Sequence, residues 1–307
     1  MILRTFPVLL LAMVFTLLAA SARADMILGY DTDLSSAAVL AGSTVTNTGP
    51  TTITGDVDLY AGTSITGESD ITLTGASVYE DTTPTAMGAQ ADLTSALTEL
   101  EGLGPGTTLS SSNLTGLTLA PGVYTVPGAA LLNVDGTVTL DGEGNANAAW
   151  VFLVDGFTTG TGSSVDVENT GAGAGIFWVD SSSTTLGVDS SFEGNILAST
   201  SISLDSGATD DCGRALASTG AVTMDNNTIS IGCAGTEGNG GSGFSGGLSV
   251  TPEVAGPALV SVLPSSPVVP APEPGTFALL LSGLLAIGLL ALRKLRSSPR
   301  ISCADIL

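Results

Sequence analysis

Short segments in which an aliphatic residue alternates with threonine, serine or another small residue recur along the chain and predict β-strands. Thr44-Val45-Thr46 and Ser201-Ile202-Ser203 are typical, with hydroxyls on one side of the strand and the aliphatic side chain on the other. A second set of segments is almost wholly apolar, at residues 149–154, 175–179, 195–198 and 215–217. We expect the strands of this second set to be covered on both faces.

One segment has a helical period instead and predicts an α-helix over residues 84–102. Thr83 is placed as the N-cap, Pro84 fills the first helical position, and Gly102 is placed to end the helix. The apolar positions that keep the 3.6-residue period are Ala86, Ala89, Leu93, Ala96, Leu97 and Leu100. Because this stripe is narrow and rich in small side chains, the helix can lie close along a flat sheet.

The spacing of the strands indicates a solenoid. Ile196 and Leu216 are 20 residues apart, and so are Ile202 and Val222, although the two pairs belong to different strand types. A period near 20 residues is about one coil of a β-solenoid, whose coils stack at about 4.8 Å and bury a column of aliphatic side chains. A β-sandwich built from similar strands is the alternative that periodicity leaves open.

The composition excludes several classes of function. The chain has 307 residues, with 29 acidic against 7 basic side chains and no histidine. Nothing here could neutralise a run of phosphates, which excludes a nucleic-acid binder, and the lack of imidazole excludes the Ser-His-Asp triad and the commonest zinc sites. Between residues 25 and 272, Arg214 is the single basic residue against 27 acidic ones, and we expect it to pair with a carboxylate and orient a turn.

Two motifs with known chemistry lack a residue that the chemistry needs. Asp141, Glu143 and Asn145 have the spacing of a calcium loop, but Ala146 occupies the sixth position, where an EF-hand needs glycine. Residues 243–247 fit the G-x-S-x-G pattern of a hydrolase nucleophile elbow, but no histidine exists to activate the serine. We therefore expect no metal, no cofactor and no enzymatic activity.

The N-terminal segment has the composition of an export signal. Residues 1–24 combine an early arginine, an apolar run and the small-x-small pattern Ala22-Arg23-Ala24, which predicts a signal peptide that is cleaved before Asp25. Residues 25–233 then remain for a single folded domain. The Gly/Ser-rich and then Pro-rich stretch at residues 234–271 predicts a flexible linker.

The C-terminal segment predicts a membrane anchor. Residues 277–292 are apolar and a basic cluster follows them directly, which favours a transmembrane helix with a cytoplasmic tail at residues 297–307. The order of Pro272-Glu273-Pro274, apolar helix and basic cluster over residues 272–296 resembles the PEP-CTERM sorting tail of Gram-negative bacteria. This resemblance implies an exosortase-type protease as a partner, transient anchoring in the inner membrane, and release to the cell surface or into an exopolysaccharide matrix.

The two cysteines of the predicted domain are placed to form a disulfide. Cys212 and Cys233 are 21 residues apart, so that with a 20-residue period they stand roughly one above the other on adjacent coils. Stacked strands bring Cα atoms to about 5 Å, which is within the range that a disulfide requires. Since export favours oxidation, we expect this pair to be bonded, with two unpaired thiols as the alternative.

Several further motifs occur in a fixed order through the predicted domain. They are residues 39–57, Ala91-Asp92-Leu93-Thr94, residues 119–124, residues 140–145, residues 192–198, Gly213-Arg214-Ala215-Leu216-Ala217 and Asp225-Asn226-Asn227-Thr228. In this order they resemble the ice-binding-protein-like domain of polar bacteria, fungi and algae. The resemblance implies a mainly β fold, an irregular right-handed β-solenoid of triangular cross-section with one α-helix packed alongside.

The same resemblance implies an exported protein that binds ice through a flat, weakly charged solenoid face. Threonine suits such a face because it presents a methyl and a hydroxyl group on a stiff β-branched stem. The candidate contacts are Thr44, Thr46, Thr48, Thr51, Thr52, Thr54, Ser64, Thr66, Thr72, Thr74, Thr137, Thr139, Ser201, Ser203 and Thr223. A structural or adhesive protein of the exopolysaccharide matrix, with the same fold and no ice affinity, is the alternative.

Overall fold

The computed structural model describes residues 33–75, 78–233, 244–246, 248–251 and 259–262. Its elements are β1 (Ala37–Ala41), β2 (Thr44–Thr48), β3 (Thr51–Thr54), β4 (Asp56–Leu59), β5 (Ser64–Thr66), the 3₁₀ helix η1 (Glu68–Asp70), β6 (Ile71–Thr74), β7 (Tyr79–Asp81), α1 (Pro84–Glu101), β8 (Thr107–Thr108), β9 (Thr118–Leu119), β10 (Gly122–Thr125), β11 (Ala130–Leu132), β12 (Thr137–Asn145), β13 (Ala149–Val154), β14 (Phe157–Thr159), β15 (Ser164–Thr170), β16 (Gly175–Asp180), β17 (Thr184–Leu186), β18 (Ser191–Ala198), β19 (Ile202–Leu204), β20 (Thr209–Ala217), β21 (Val222–Asp225), β22 (Thr228–Ser230), β23 (Leu248–Thr251) and β24 (Leu259–Val262).

The predicted signal peptide, sorting motif, transmembrane segment and cytoplasmic tail lie outside the described ranges. Within those ranges, no helix is long and apolar enough to cross a membrane.

The strands from β1 to β22 form three faces, and each pairing between them is parallel. The hydroxyl face is the seven-stranded sheet β11-β14-β17-β19-β21-β2-β5. The helix face runs β8-β10-β13-β16-β18-β20-β1-β4-β7, and α1 packs against it. The acidic face runs β9-β12-β15-β18-β20-β22-β3-β6, so that the long strands β18 and β20 take part in two faces. The predicted solenoid is confirmed, and the sandwich, whose sheets are antiparallel, is wrong.

The first coils of the chain stack on the last one. In register, Leu40 pairs with Leu216, Thr46 pairs with Thr223, and Ile53 pairs with Ile229. After β7 the chain enters α1, which leads it to β8 at the other end of the solenoid, and the remaining coils return from there. Each face is therefore continuous although its strands come from distant parts of the sequence.

The predicted 20-residue period holds on only one of two faces. Ile202 pairs with Val222 on the hydroxyl face, as expected from the sequence. On the helix face Ile196 pairs with Ala215, 19 residues away, and the predicted partner Leu216 is one position off. The reason is a register irregularity at the bend of β18, next to Asn195, where this strand passes from the acidic face to the helix face.

The corner between the hydroxyl face and the acidic face is made by residues with positive φ. In successive coils these residues are Asp135, Gly162, Asp189, Gly207 and Asn226, with φ between 52° and 76°. Glycine has no Cβ to clash in this left-handed region, and Asp and Asn tolerate it better than other residues do. Because each coil turns at the same place with the same backbone conformation, the strands before and after the corner stack in register.

The interior of the solenoid is filled by stacked aromatic rings. The rings of Phe152 and Trp178 lie 4.1 Å apart between centroids, and Tyr124, Phe157 and Phe192 extend the stack. The almost wholly apolar strands are buried on both sides, by this interior on one side and by α1 on the other, as predicted. Such a close-packed centre gives the outer faces little freedom to deform.

The predicted helix is confirmed almost to the residue. Thr83 accepts a hydrogen bond from the N–H of Ala86 at 3.2 Å, and α1 ends at Glu101 with Gly102 as its C-cap. The buried stripe is the one predicted, and it packs against apolar side chains of the helix face that include Leu40, Leu197 and Leu216.

The segment predicted as a flexible linker contributes in part to the folded domain. Residues 244–246 and Leu248, here called the strap, lie against the helix face, and Phe244, Ser245 and Leu248 are buried. The N–H of Phe244 donates to Cys212 O at 2.9 Å, and Phe244 O accepts from the N–H of Ile176 at 2.9 Å. β23 and β24 follow as an antiparallel pair. The boundary predicted at residue 233 is therefore too early.

Arg214 holds the strap in place from inside the protein. Its Nη1 donates to Asn195 Oδ1 at 2.8 Å and to Ser245 Oγ at 2.7 Å, while Nη2 donates to Ser35 O at 2.9 Å. Burial lowers the pKa of Arg214 to about 10, and burial likewise raises the pKa of the neighbouring Asp210 well above its usual range. The expected role in orienting a turn is thus replaced by a wider one, since Arg214 connects β18, the N-terminal segment and the strap.

A disulfide closes the end of the last coil. Cys212 in β20 is bonded to Cys233, with the two Cα atoms 4.4 Å apart. This covalent bond lies directly before the strap, whose residue Phe244 is hydrogen-bonded to the backbone of Cys212. The last coil, the disulfide and the strap therefore form one connected unit.

One carboxyl group interrupts an aliphatic row of the helix face. In register, Leu197, Leu216 and Leu40 are followed by Asp58 and then by Glu80. Asp58 is fully buried, and neither of its carboxyl oxygens has a hydrogen-bond partner in the described part of the chain. Burial, together with the nearby charges of Asp56, Glu80 and Asp33, raises the pKa of Asp58 to about 8.

We expect Asp58→Asn to change the pH dependence of stability. Because the folded pKa lies above the unfolded value, protonated Asp58 stabilises the fold at low pH, and this contribution is lost as pH rises from about 4 to about 8. At pH 8.5 the variant should melt about 5 °C or more above the wild type, and at pH 4 the two should be nearly equal. Circular dichroism melts at both pH values test this, and a constant difference between the proteins across this range would contradict it.

Candidate functional site

One column of outward side chains runs the whole length of the hydroxyl face. The register places its members directly beside one another in seven successive strands. From one end to the other they are Leu131, Thr158, Thr185, Ser203, Thr223, Thr46 and Thr66. At about 4.8 Å per strand this central column is about 29 Å long. Its members are exposed or half-exposed, while residues on either side of them in the same strands, such as Ile202 and Leu204, are buried.

The hydroxyl groups of the central column are available to water. Within the described part of the chain, no side-chain hydrogen bond involves Thr158, Thr185, Ser203, Thr223 or Thr46, and the same holds for Thr66. The column contains no charged residue. It therefore presents methyl groups and unpaired hydroxyls at a fixed repeat.

A second row of small side chains flanks this column and is locked by hydrogen bonds. The hydroxyl of Ser183 accepts from the N–H of Ser201 at 3.3 Å, and the hydroxyl of Ser201 accepts from the N–H of Ala221 at 3.2 Å. In the coils above, Thr44 pairs with Ser64. These bonds between coils fix the surface beside the central column.

The acidic face also has a column of hydroxyl residues, but charges stand next to it. The column is Thr137, Ser164, Ser191, Thr209, Thr228, Thr52 and Thr72. The next outward position along three of these strands is acidic, at Asp166, Glu193 and Asp211. Asp141 and Glu168 form a further pair in register. This face is therefore polar and strongly charged, in contrast to the hydroxyl face.

The structure divides the predicted contact residues between these two faces. The hydroxyl face holds Thr44, Thr46, Thr48, Ser64, Thr66, Ser201, Ser203 and Thr223, and the acidic face holds Thr52, Thr54, Thr72, Thr74, Thr137 and Thr139. The expectation that all of them share one panel is wrong, because the chain turns a corner after each strand of the hydroxyl face.

Thr51 is a structural residue and was wrongly predicted as a contact. It is only 1% exposed, at the corner between β2 and β3. Its hydroxyl donates to Asn47 Oδ1 at 2.6 Å and accepts from the N–H of Asn227 at 3.1 Å. Thr51 thus joins the first coil to the last. Thr48, at the same corner, is exposed but pairs in register with Asp225.

Sequence reasoning missed Thr158 and Thr185, which lie in the middle of the lower column. Each has a second threonine beside it that points inward, and this hides the alternation. Thr159 accepts from the N–H of Gly187 at 2.8 Å, and Thr184 donates to Asp180 Oδ2 at 2.8 Å. The available signal was a 27-residue repeat, in which Gly-x-x-Ser-Ser at residues 160–164 recurs at residues 187–191.

The comparison with protein families decides the relationship. The family model described as Ice-binding-like matches residues 39–230, which include all three faces and α1. The chain belongs to the Ice-binding-like family. The matched range ends before the strap, so this part of the domain lies beyond the family's common region.

Relatives in this family include proteins named for binding ice. An ice-binding protein of Nostoc sp. (strain HG1) is 41% identical over 230 residues, which is 75% of this chain and 84% of the relative. An ice-binding protein of Flavobacterium frigoris (strain PS1) is 35% identical over 125 residues, covering 40% of this chain and 43% of the relative.

Solved structures of ice-binding proteins have the same fold. A crystal structure from an Antarctic biological consortium superposes with a TM-score of 0.61 at 38% identity, covering 64% of this chain and 88% of the other. The ice-binding protein of the Antarctic ascomycete Antarctomyces psychrotrophicus gives a TM-score of 0.59 at 33% identity, covering 66% and 97%. The Ice-binding-like fold therefore extends over the whole solenoid.

Proposed function

We propose that this member of the Ice-binding-like family is an exported protein that binds ice through the central column of its hydroxyl face. The observation that carries the proposal is the register of Thr158, Thr185, Ser203, Thr223 and Thr46, whose hydroxyls have no partner within the described residues. The names of the relatives support ice as the ligand.

The chemistry of the column suits an ordered water layer. Methyl groups order the water above them, while hydroxyls at a repeat of about 4.8 Å anchor individual molecules of that layer. One such contact is weak, but many contacts held on one rigid surface act together, so that simultaneous detachment becomes improbable. A charged side chain would bind water in its own geometry, which favours the hydroxyl face over the acidic face.

Crystal growth tests the proposal directly. The purified full chain, cooled around a single ice crystal, should hold the crystal at constant size over a freezing gap and give it facets. An inactive protein of similar charge serves as control. Round crystals that grow freely at the melting point, and recrystallisation at the rate seen with the control, would reject ice binding.

The ends of the chain support an outside location for this activity. We propose that residues 1–24 are removed during export and that an exosortase-type protease processes the tail at Pro272-Glu273-Pro274, leaving the domain on the cell surface or in the exopolysaccharide matrix. Mass spectrometry of the protein recovered from the cell exterior should give a chain that begins at Asp25 and lacks the apolar segment at residues 277–292. An intact C-terminus would contradict this processing.

A second function, as a structural or adhesive matrix protein without ice affinity, is favoured by the acidic face. Its paired carboxylates, such as Asp141 with Glu168, could join an anionic polysaccharide only through divalent cations. Retention of the full chain on purified exopolysaccharide in calcium, its release by a chelator, and no effect on ice growth would support this function over ice binding.

A further inference from the structure

Exposed aliphatic side chains cluster at one edge of the hydroxyl face. Five large apolar side chains are exposed in the described part of the chain, namely Val78, Met87, Leu131, Val134 and Val188. Leu131 begins the central column, while Val134 and Val188 lie at the corner between the hydroxyl face and the acidic face, 65% and 37% exposed. A soluble domain exposes single apolar residues without consequence, but a cluster beside a candidate contact surface indicates a function.

The corner places Val134, Thr161 and Val188 one above another. The N–H of Asp135 donates to Thr161 O at 2.8 Å, and the N–H of Gly162 donates to Val188 O at 2.9 Å, so that the three coils are joined at this position. A further residue makes the close stacking possible, because a Cβ at Gly160 would lie 2.5 Å from Val134 N.

This corner row runs parallel to the central column. Each of its members comes three residues after a member of that column, and the pairs are Leu131 with Val134, Thr158 with Thr161, and Thr185 with Val188. Both rows therefore repeat at the strand spacing of about 4.8 Å. Together they form a strip, two side chains wide, over three coils.

The strip is free of charge although acidic residues are adjacent in the sequence. The carboxylates of Asp135 and Asp189 lie in the space that a side chain at Gly162 or Gly207 would fill, which is over the next coil. Further up the solenoid the same edge becomes charged, because Asp225 is paired in register with Thr48. The uncharged strip is thus confined to the coils that carry the two valines.

We propose that Val134, Thr161 and Val188 form a second contact row for ice, so that the ice-binding surface bends around the corner in the lower three coils. This inference rests on the proposed function and deepens it by naming residues without a hydroxyl as contacts. Each valine presents two methyl groups on the same stiff β-branched stem as threonine. The row adds ordered water along one edge of the layer that the central column anchors.

The size of the strip favours ice over a protein partner. A stable protein interface buries about 800 Å² on each side around an apolar centre, and three separated side chains on a convex corner fall far short of that area. Val134 and Val188 are separated by Thr161, so the methyl groups alternate with a hydroxyl instead of forming a continuous apolar patch. Such alternation suits a water lattice.

Paired lysine substitutions in the full chain test the corner row. We expect V134K/V188K to reduce the freezing gap about threefold, since one of two rows is lost while the central column remains. T158K/T185K, which interrupts the central column itself, should abolish the gap. V78K places the same charge at an equally exposed valine outside the hydroxyl face, and it should leave the gap unchanged. V134T/V188T keeps the branched stem and should retain activity.

The outcomes separate this inference from the proposed function. A wild-type gap in V134K/V188K, with the gap lost in T158K/T185K, overturns the corner row and leaves the central column in place. No gap in any protein, including the wild type, rejects ice binding as a whole. Loss of the gap in V134T/V188T equal to that in V134K/V188K also overturns the inference, as does a wild-type dimer that V134K/V188K converts to monomers in sedimentation. Unchanged circular dichroism melts must accompany each comparison.

Discussion

Thr185→Lys should lower the freezing gap about tenfold at equal protein concentration, since one bulky charge in the middle of the column divides it into two short pieces. Thr185 lies between Thr158 and Ser203 in register, and its side chain has no other partner within the described residues. The loss should therefore come without a loss of stability. Measurements of the gap by crystal microscopy, together with thermal melts of both proteins, test this expectation.

Thr209→Lys provides the matched control for that variant. Thr209 occupies the hydroxyl column of the acidic face and is half-exposed, like Thr185. The two substitutions add the same charge to the same solenoid, so a general effect of charge would appear in both. Equal loss of the gap in both variants, or loss in Thr209→Lys alone, would show that the hydroxyl face is not the contact surface.

A chain that ends after Cys233 should be far less stable than one that ends after Val262. The shorter chain lacks Ser245, an acceptor for the buried Arg214, and it lacks Phe244, whose carbonyl accepts from the Asn195 side chain at 2.6 Å. Leaving a buried charge without a partner costs about 3–5 kcal/mol. Denaturant unfolding of both chains measures the difference, and equal midpoints would show that the strap adds nothing to the fold.

Variants within the longer chain identify the cause. Ser245→Ala should cost about 1–3 kcal/mol, because one buried donor of Arg214 loses its acceptor while the burial of Phe244 is kept. Arg214→Ala should cost at least as much as the truncation, since it leaves Asn195 Oδ1 and Ser35 O without this donor as well. If Ser245→Ala and Arg214→Ala both match the wild type, the stabilising effect of the strap lies in its apolar contacts.

Local patterns were sufficient to predict the elements that depend on neighbouring residues. The start and end of α1 follow from Thr83, Pro84 and Gly102, whose effects act within one helical turn. The all-apolar strands were recognisable because burial on both sides leaves no room for alternation. The disulfide followed from the spacing of Cys212 and Cys233.

The composition of the faces could not be predicted in the same way. Thr46 and Thr223 are neighbours although 177 positions separate them in the sequence, because the first coil stacks on the last. The coil length also varies, from 19 residues between Ile196 and Ala215 to 27 between Thr158 and Thr185. No single period assigns residues to faces under these conditions, so the predicted contacts were divided incorrectly between two of them.

The strap illustrates a different limit. Its sequence has no period, because residues 244–246 cross the helix face as a single irregular segment. What holds it is one buried arginine and the shape of a groove that only the complete solenoid provides. The charge composition showed that Arg214 was exceptional, but the identity of its partners depended on the tertiary structure.

The stacking of the first coil on the last also determines when the surface can exist. The strands β1, β2 and β3 have no partners on one side until β20, β21 and β22 have left the exporter, since the chain crosses the membrane from its N-terminus. Contacts of such long sequence separation form late in folding. The seven-membered column is therefore assembled only after the whole domain has reached the outside of the cell, and a nascent or partly translocated chain displays no complete template for frozen water.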